Sequence, residues 1–133
     1  MTTMKRRGFT VIELLVIIVI LGIGSWLFFT ERATVNSEQR DSTRKTAINA
    51  MYYNLEEVYF EAHNNYPQTI DSKTLRAMDP ALFTDPSDVK LGETGSDYRY
   101  EPTGCNTSGQ CSGYTLRSAM EREADFVKTN RNK

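Results

Sequence analysis

The chain has 133 residues, 16 Lys and Arg against 17 Asp and Glu, and a single histidine. That length leaves room for one small domain, and a formal net charge of −1 supplies no basic excess of the kind nucleic acid attracts. No nucleophile–base pair, phosphate-binding loop or zinc spacing accompanies the lone His63, so the pattern points away from an enzyme and implies no catalytic residue.

Lys5, Arg6 and Arg7 precede an apolar run over residues 9–29. Its 21 residues make roughly 30 Å of helix, the thickness of a hydrocarbon core. The chain beyond it carries 13 basic and 16 acidic residues. The positive-inside rule then keeps the N-terminus in the cytoplasm and puts the remainder outside. Glu13 is the only charge in the run, where an ionised side chain opposes insertion by up to about 2.5–3.5 kcal/mol at mid-membrane and by less near an edge. A cleavable secretory signal has a shorter apolar core and an A-x-A-like site, which "FFTERATV" lacks. A plain single-pass anchor fits the length but leaves Glu13 unexplained. A carboxyl that protonates or reaches the headgroups accounts for Glu13 alone, and leaves Gly8, Phe9 and the basic leader without a reason.

The order of basic residues, Gly8, Phe9 and then "TVIELL" resembles the class III leader of type IV prepilins and pseudopilins. The resemblance implies cleavage by a prepilin peptidase between Gly8 and Phe9, N-methylation of Phe9, and an assembly role for Glu13. Once cut, Phe9 presents a positive amine one helical turn from Glu13, and a paired buried charge costs far less than a lone one. The amine can belong to the same chain or to a neighbour; the family pattern implies the neighbour. Gly22 and Gly24 interrupt a β-branched and Leu-rich helix, either for close packing between membrane helices or, as the resemblance implies for Gly22, as a point of helix flexibility in a filament. Thr30 stands where many pilins have proline.

No Pro or Gly occurs between Ser25 and Tyr66, which permits one long helix. Ala47, Ile48, Met51, Leu55, Val58 and Ala62, with Tyr52 and Tyr59, form a stripe at three- and four-residue spacing. Arg44, Lys45, Asn49, Asn54, Glu56, Glu57 and Glu61 fall largely on the other side. The polar "TVNSEQRDSTRK" is a marginal helix alone, and is expected to rely on neighbouring subunits or on the helix ends. "HNNYP" stops the helix. A short helix is expected after Asp71 or Ser72, then turns at Pro80 and Pro86, with Leu75, Met78, Leu82 and Phe83 in the core.

"DYRYEP" and "GYTLRSAM" alternate as half-buried strands of a hairpin, with Tyr98, Tyr100, Tyr114 and Leu116 facing the helix and "ADFVKTN" as a third antiparallel strand. Cys105 and Cys111 bracket the hairpin loop; an external location permits a disulfide there, with two free thiols as the alternative. The expected fold is therefore α+β and, by resemblance, pilin-like: a long N-terminal helix, membrane-spanning in its first half, on a small antiparallel sheet. The expected organisation is a leader over 1–8, a membrane or filament-core helix over 9–30, and an extended helix with a globular head over 31–133.

"ALFTDPSD" followed by "YRYEP" is similar to the major pseudopilin of type II secretion, where a loop binds calcium. Asp85, Asp88 and Asp97, with Glu93, are weak calcium candidates; otherwise no cofactor is expected. Lys128, Arg131 and Lys133 form a small basic tail better suited to solubility than to DNA. The resemblance implies a structural subunit of a type IV pilus-like filament serving adhesion, twitching motility or DNA uptake. Its partners are copies of itself and other pilins, the prepilin peptidase and the assembly machinery. It sits in the cytoplasmic membrane before assembly and on the cell surface after. A type II secretion pseudopilin is the alternative within the family, and a non-polymerising anchored binding module the alternative outside it.

Overall fold

The computed structural model describes residues 8–131; Lys5, Arg6 and Arg7 of the leader, and Lys133 of the basic tail, lie outside them. Helix α1 covers Val11–Tyr53 and continues through a π-helical turn, Asn54–Tyr59, into a last turn, α2, Phe60–His63. The long run without Pro or Gly leaves its backbone ladder unbroken. Asn64 ends it in the left-handed conformation at φ 55°, donating its N–H to the Phe60 carbonyl. The chain divides into two units, one ending at Asn36 and one beginning at Ser37.

The first unit is the apolar stretch of α1. None of residues 8–36 is buried, and its large apolar side chains range from 40 % exposed at Ile17 to 79 % at Val11.

In the second unit the helical stripe meets a sheet. Ala47, Ile48, Met51 and Leu55 are buried together with Tyr66, Tyr98, Tyr114 and Leu116. Strands β2, Tyr98–Cys105, and β3, Gln110–Ser118, form the expected hairpin, in register from Tyr98 opposite Ser118 to Cys105 opposite Cys111. The third strand, β4, Phe126–Thr129, pairs antiparallel with β3. A two-residue strand, β1, Tyr66–Pro67, adds to the far end of β3. Pro102 is tolerated because β2 has only β3 as a neighbour, so the missing N–H falls on an edge. At Gly113 in β3 a Cβ would lie 2.7 Å from Asn130 Oδ1 and displace that side chain, which accepts the Tyr114 N–H at 3.2 Å.

Four expectations are corrected. The π-helical turn inserts extra backbone after Leu55 and shifts the stripe, so Val58 and Ala62 are exposed while Tyr59 and Phe60 pack on the core. The same shift buries Glu56, expected on the polar side. Its carboxylate accepts the Tyr114 hydroxyl at 2.7 Å, the Tyr66 hydroxyl at 3.1 Å and the Arg131 N–H at 3.3 Å, which is how a carboxylate survives burial. No helix follows Asp71: its Oδ1 accepts the Lys73 and Thr74 N–H groups, a single turn that stops before a 3-10 turn at Pro80–Phe83. Leu75, Met78 and Phe83 still reach the core, with Leu82 packed against it. The polar segment from Ser37 is held by its own chain, since Arg40 forks onto Glu121 at 2.7 and 2.6 Å.

Cys105 and Cys111 are disulfide-bonded across the end of the hairpin, six residues apart. Closing so short a ring removes ~2 kcal/mol of loop entropy from the unfolded chain. Reduction of the detergent-solubilised protein is therefore expected to lower its melting temperature, read by near-ultraviolet circular dichroism of the buried tyrosines, without unfolding it at 25 °C.

Candidate functional site

Thr10 stands immediately before the first residue of α1. Its Oγ1 accepts the Glu13 N–H at 3.3 Å, and Glu13 Oε2 accepts the Thr10 N–H at 3.4 Å. This reciprocal arrangement is a capping box, which satisfies two of the donors that a helix start otherwise leaves open. The Leu14 N–H on the Thr10 carbonyl at 3.1 Å begins the ladder. A carboxylate in the first turn also meets the positive end of the helix dipole. Glu13 is thus not an uncompensated charge in the lone helix: it reaches back to the helix start, beside Phe9, itself 76 % exposed. The signal was legible as T-x-x-E, but reading Glu13 only as a charge in an apolar run passed over Thr10.

A Cβ added to Gly22 or Gly24 would meet no atom within 4 Å. Nothing among the described residues therefore requires small residues there, and α1 continues through both. At Thr30 the hydroxyl donates to the Leu27 carbonyl at 2.8 Å and the Trp26 carbonyl at 3.2 Å, so the helix passes this position without interruption.

Residues 3–29 match the prokaryotic N-terminal methylation motif. The chain carries a class III prepilin leader. The match covers the leader and the apolar helix and supports membership of the type IV pilin and pseudopilin family. The fold agrees: a long helix packed on a small antiparallel sheet, α+β and pilin-like. Comparisons with curated proteins and with solved structures gave no match. The prepilin leader and the apolar helix behind it fit a membrane-anchored subunit before assembly.

The head carries a second charged constellation that periodicity did not reveal. Arg44 is 3 % exposed yet meets three carboxylates: Asp41 at 2.8 Å, Asp97 at 2.8 Å and Glu121 at 2.8 Å. Asp41 in turn accepts the N–H groups of Glu121 at 3.0 Å and Arg122 at 3.1 Å. Burial opposes the charge on Asp41, but those amides and the Arg44 guanidinium outweigh it and hold the carboxyl below its usual range. The Arg40 guanidinium, followed by Arg44, brings Glu121 down to about 2.

Two of the calcium candidates, Asp85 and Asp97, have other partners. Asp85 Oδ1 accepts the Ser87 and Val89 N–H groups at 2.8 and 3.0 Å, and its Oδ2 the Asp97 N–H at 2.8 Å. The Asp97 carboxylate lies on Arg44, and Asp88 is exposed at a turn with φ 63°. Among the described residues no group of three or more His, Cys, Asp or Glu side chains is placed to hold a metal ion. His63 Nδ1 donates to the Tyr59 carbonyl, 2.9 Å away, and the ring stacks on that of Tyr59; it is a surface residue of the helix end.

Carboxyls held below their unfolded values stabilise the fold above pH ~4, where unfolded Asp and Glu are ionised. That stabilisation is lost as pH falls through the folded values, for Glu121 about 2. The melting temperature is thus expected to hold to about pH 4 and to fall below it. Arg44→Ala, which leaves Asp41 buried without its cation, is expected to cost about 3–5 kcal/mol at neutral pH. Excess chelator is expected to leave the melting temperature unchanged, because the Asp85 carboxylate already accepts three backbone N–H groups; a fall of several degrees would assign a bound cation to this loop.

Proposed function

We propose that this chain is a structural subunit of a type IV pilus-like surface filament, cut after Gly8, N-methylated on Phe9 and polymerised through the helix over residues 9–30. The observation that carries the reading is the capped helix start: Glu13 Oε2 on the Thr10 N–H, beside Phe9, at the head of an apolar stretch over residues 9–30 in which no residue is buried. Cleavage converts the Phe9 amide nitrogen into an amine, positive below its pKa near 8. Glu13 then has a cation to pair with in a setting where a lone charge is costly. Its intrachain cap lets the subunit enter the membrane with that carboxylate partly satisfied, and the amine of a neighbouring subunit completes it on assembly.

The peptidase and the assembly machinery act on the leader and helix. The subunit waits in the cytoplasmic membrane, and residues 31–133 become the outer surface of the filament, where adhesion, motility or DNA uptake are exerted. Gly22 and Gly24 serve as points where the helix adapts when it leaves lipid for the filament.

Mass spectrometry of the mature protein is expected to show a chain beginning at methylated Phe9; an uncut start would overturn the reading in favour of an anchored, non-polymerising module. Glu13→Ala is expected to lower filament yield at least about tenfold, equivalent to about 1.4 kcal/mol per subunit, with the membrane pool intact. Glu13→Gln separates the two roles of the residue, because Gln also closes a capping box but carries no charge. Its expected phenotype is that of Glu13→Ala, and normal assembly by Glu13→Gln would refute the pairing.

A further inference from the structure

We propose that Asn106 is the acceptor of an N-linked glycan. Asn106-Thr107-Ser108 has the pattern Asn-X-Ser/Thr with X other than proline, and no other asparagine of the sequence has it. It occupies the tip of the β2–β3 hairpin, where all three residues are exposed, as an enzyme acting on a folded or folding chain requires.

The local structure keeps the tripeptide at the surface. The Asn106 N–H donates to the Gln110 carbonyl at 2.9 Å and the Gly109 N–H to the Asn106 carbonyl at 3.1 Å, with Gly109 at φ 76°, a conformation that favours glycine. The disulfide between Cys105 and Cys111 clamps the strands directly below. Asn106 Oδ1 accepts the Ser108 N–H at 2.9 Å and the Gln110 N–H at 3.0 Å. The carboxamide oxygen is therefore tied to the residue that carries the required hydroxyl. The nitrogen that would react, Nδ2, makes one exposed contact, to Gln110 Oε1 at 3.1 Å, which solvent or an enzyme replaces at little cost.

The reaction class is glycosyl transfer from a lipid-pyrophosphate-linked oligosaccharide. Asn106 Nδ2 attacks the anomeric carbon and a C–N bond forms. The bond from that carbon to the pyrophosphate oxygen breaks, the lipid pyrophosphate leaves with the electron pair, and the Nδ2 proton passes to a base of the transferase. No oxidant or reductant is involved. The inference rests on the external placement of the head given under Proposed function, since donor and transferase must meet the hairpin on the same side of the membrane.

The test is tandem mass spectrometry of proteolytic digests of the full chain purified from its own host. The expected result is a peptide containing Asn106 that carries sugar and that an amidase specific for N-linked glycans converts to the aspartate form. Ser108→Ala should abolish the modification and Ser108→Thr should retain it. Both leave the backbone N–H that closes the turn, and recovery of the Cys105–Cys111 linked peptides reports that the hairpin has folded. An Asn106 peptide that is bare in the parent protein overturns the proposal, and so does sugar on Thr107 or Ser108 that persists in Asn106→Gln. The Phe9 peptide of the same digest reads leader processing separately. Methylated Phe9 with bare Asn106 sinks the glycan alone, and an uncut start with modified Asn106 sinks the leader reading alone.

Discussion

Apolar helix surface that the described chain does not cover is the constraint on which the molecule depends. Residues 9–29 bring large aliphatic and aromatic side chains to the surface without burying one of them. Bare in water, each would forgo about 1.5–3 kcal/mol of burial free energy, so the run requires either lipid or other helices around it. Lipid satisfies it indiscriminately, because acyl chains are as apolar as leucine. Other helices satisfy it only with packing and polar matching to direct them. Glu13 is the residue of the run able to supply polar matching by charge, and under the proposed function its position at the capped end confines that matching to one register.

The head solves a different problem, that of fixing a sheet on a helix with a small core. Among the described residues thirteen buried apolar side chains make up that core, too few to exclude every alternative packing by shape alone. Among the buried charged side chains of the helix, Arg44 and Glu56 add direction. Arg44 gathers Asp97, at the start of the hairpin, and Glu121, from the segment between β3 and β4. Glu56 gathers Tyr66, Tyr114 and the backbone of Arg131. Neither has a well-solvated alternative once the core closes, so a slipped register leaves a charge buried without partners, which costs far more than the pair contributes. These residues contribute specificity more than net stability.

What was legible in the sequence was whatever depends on neighbours in the chain. The leader pattern around Gly8 and Phe9, the length of the apolar run, the helix stop at Asn64 and the β2–β3 hairpin all follow from local spacing and turn chemistry. The same locality explains the failures. A strict helical period put Glu56 and Arg44 on a solvent face, because periodicity carries no information about the residues distant in sequence, Glu121 and Asp97 or Tyr66 and Tyr114, that fold back to meet them. Asp71 offered a helix N-cap, but the side chains that follow are better buried from a single turn, so tertiary packing overruled propensity. At the candidate site the residue types were evident and one partner was missed: Thr10 is an ordinary polar residue until Glu13 is placed one turn behind it.

That partner changes the physical account of Glu13. As a solitary carboxylate it would be a defect tolerated for the sake of assembly, and selection for insertion would act against it. As the N3 residue of a capping box it contributes to the helix that carries it, because the Thr10 N–H and the positive helix end already face it. In the proposed filament subunit, the opposing demands of insertion and of marking a register are met by one side chain at the end of the helix nearest the interface, where burial of charge costs least. Moved a turn or more into the apolar run, the same carboxylate would lose its cap and face the full insertion cost. The position of the glutamate, rather than its presence alone, makes the arrangement workable.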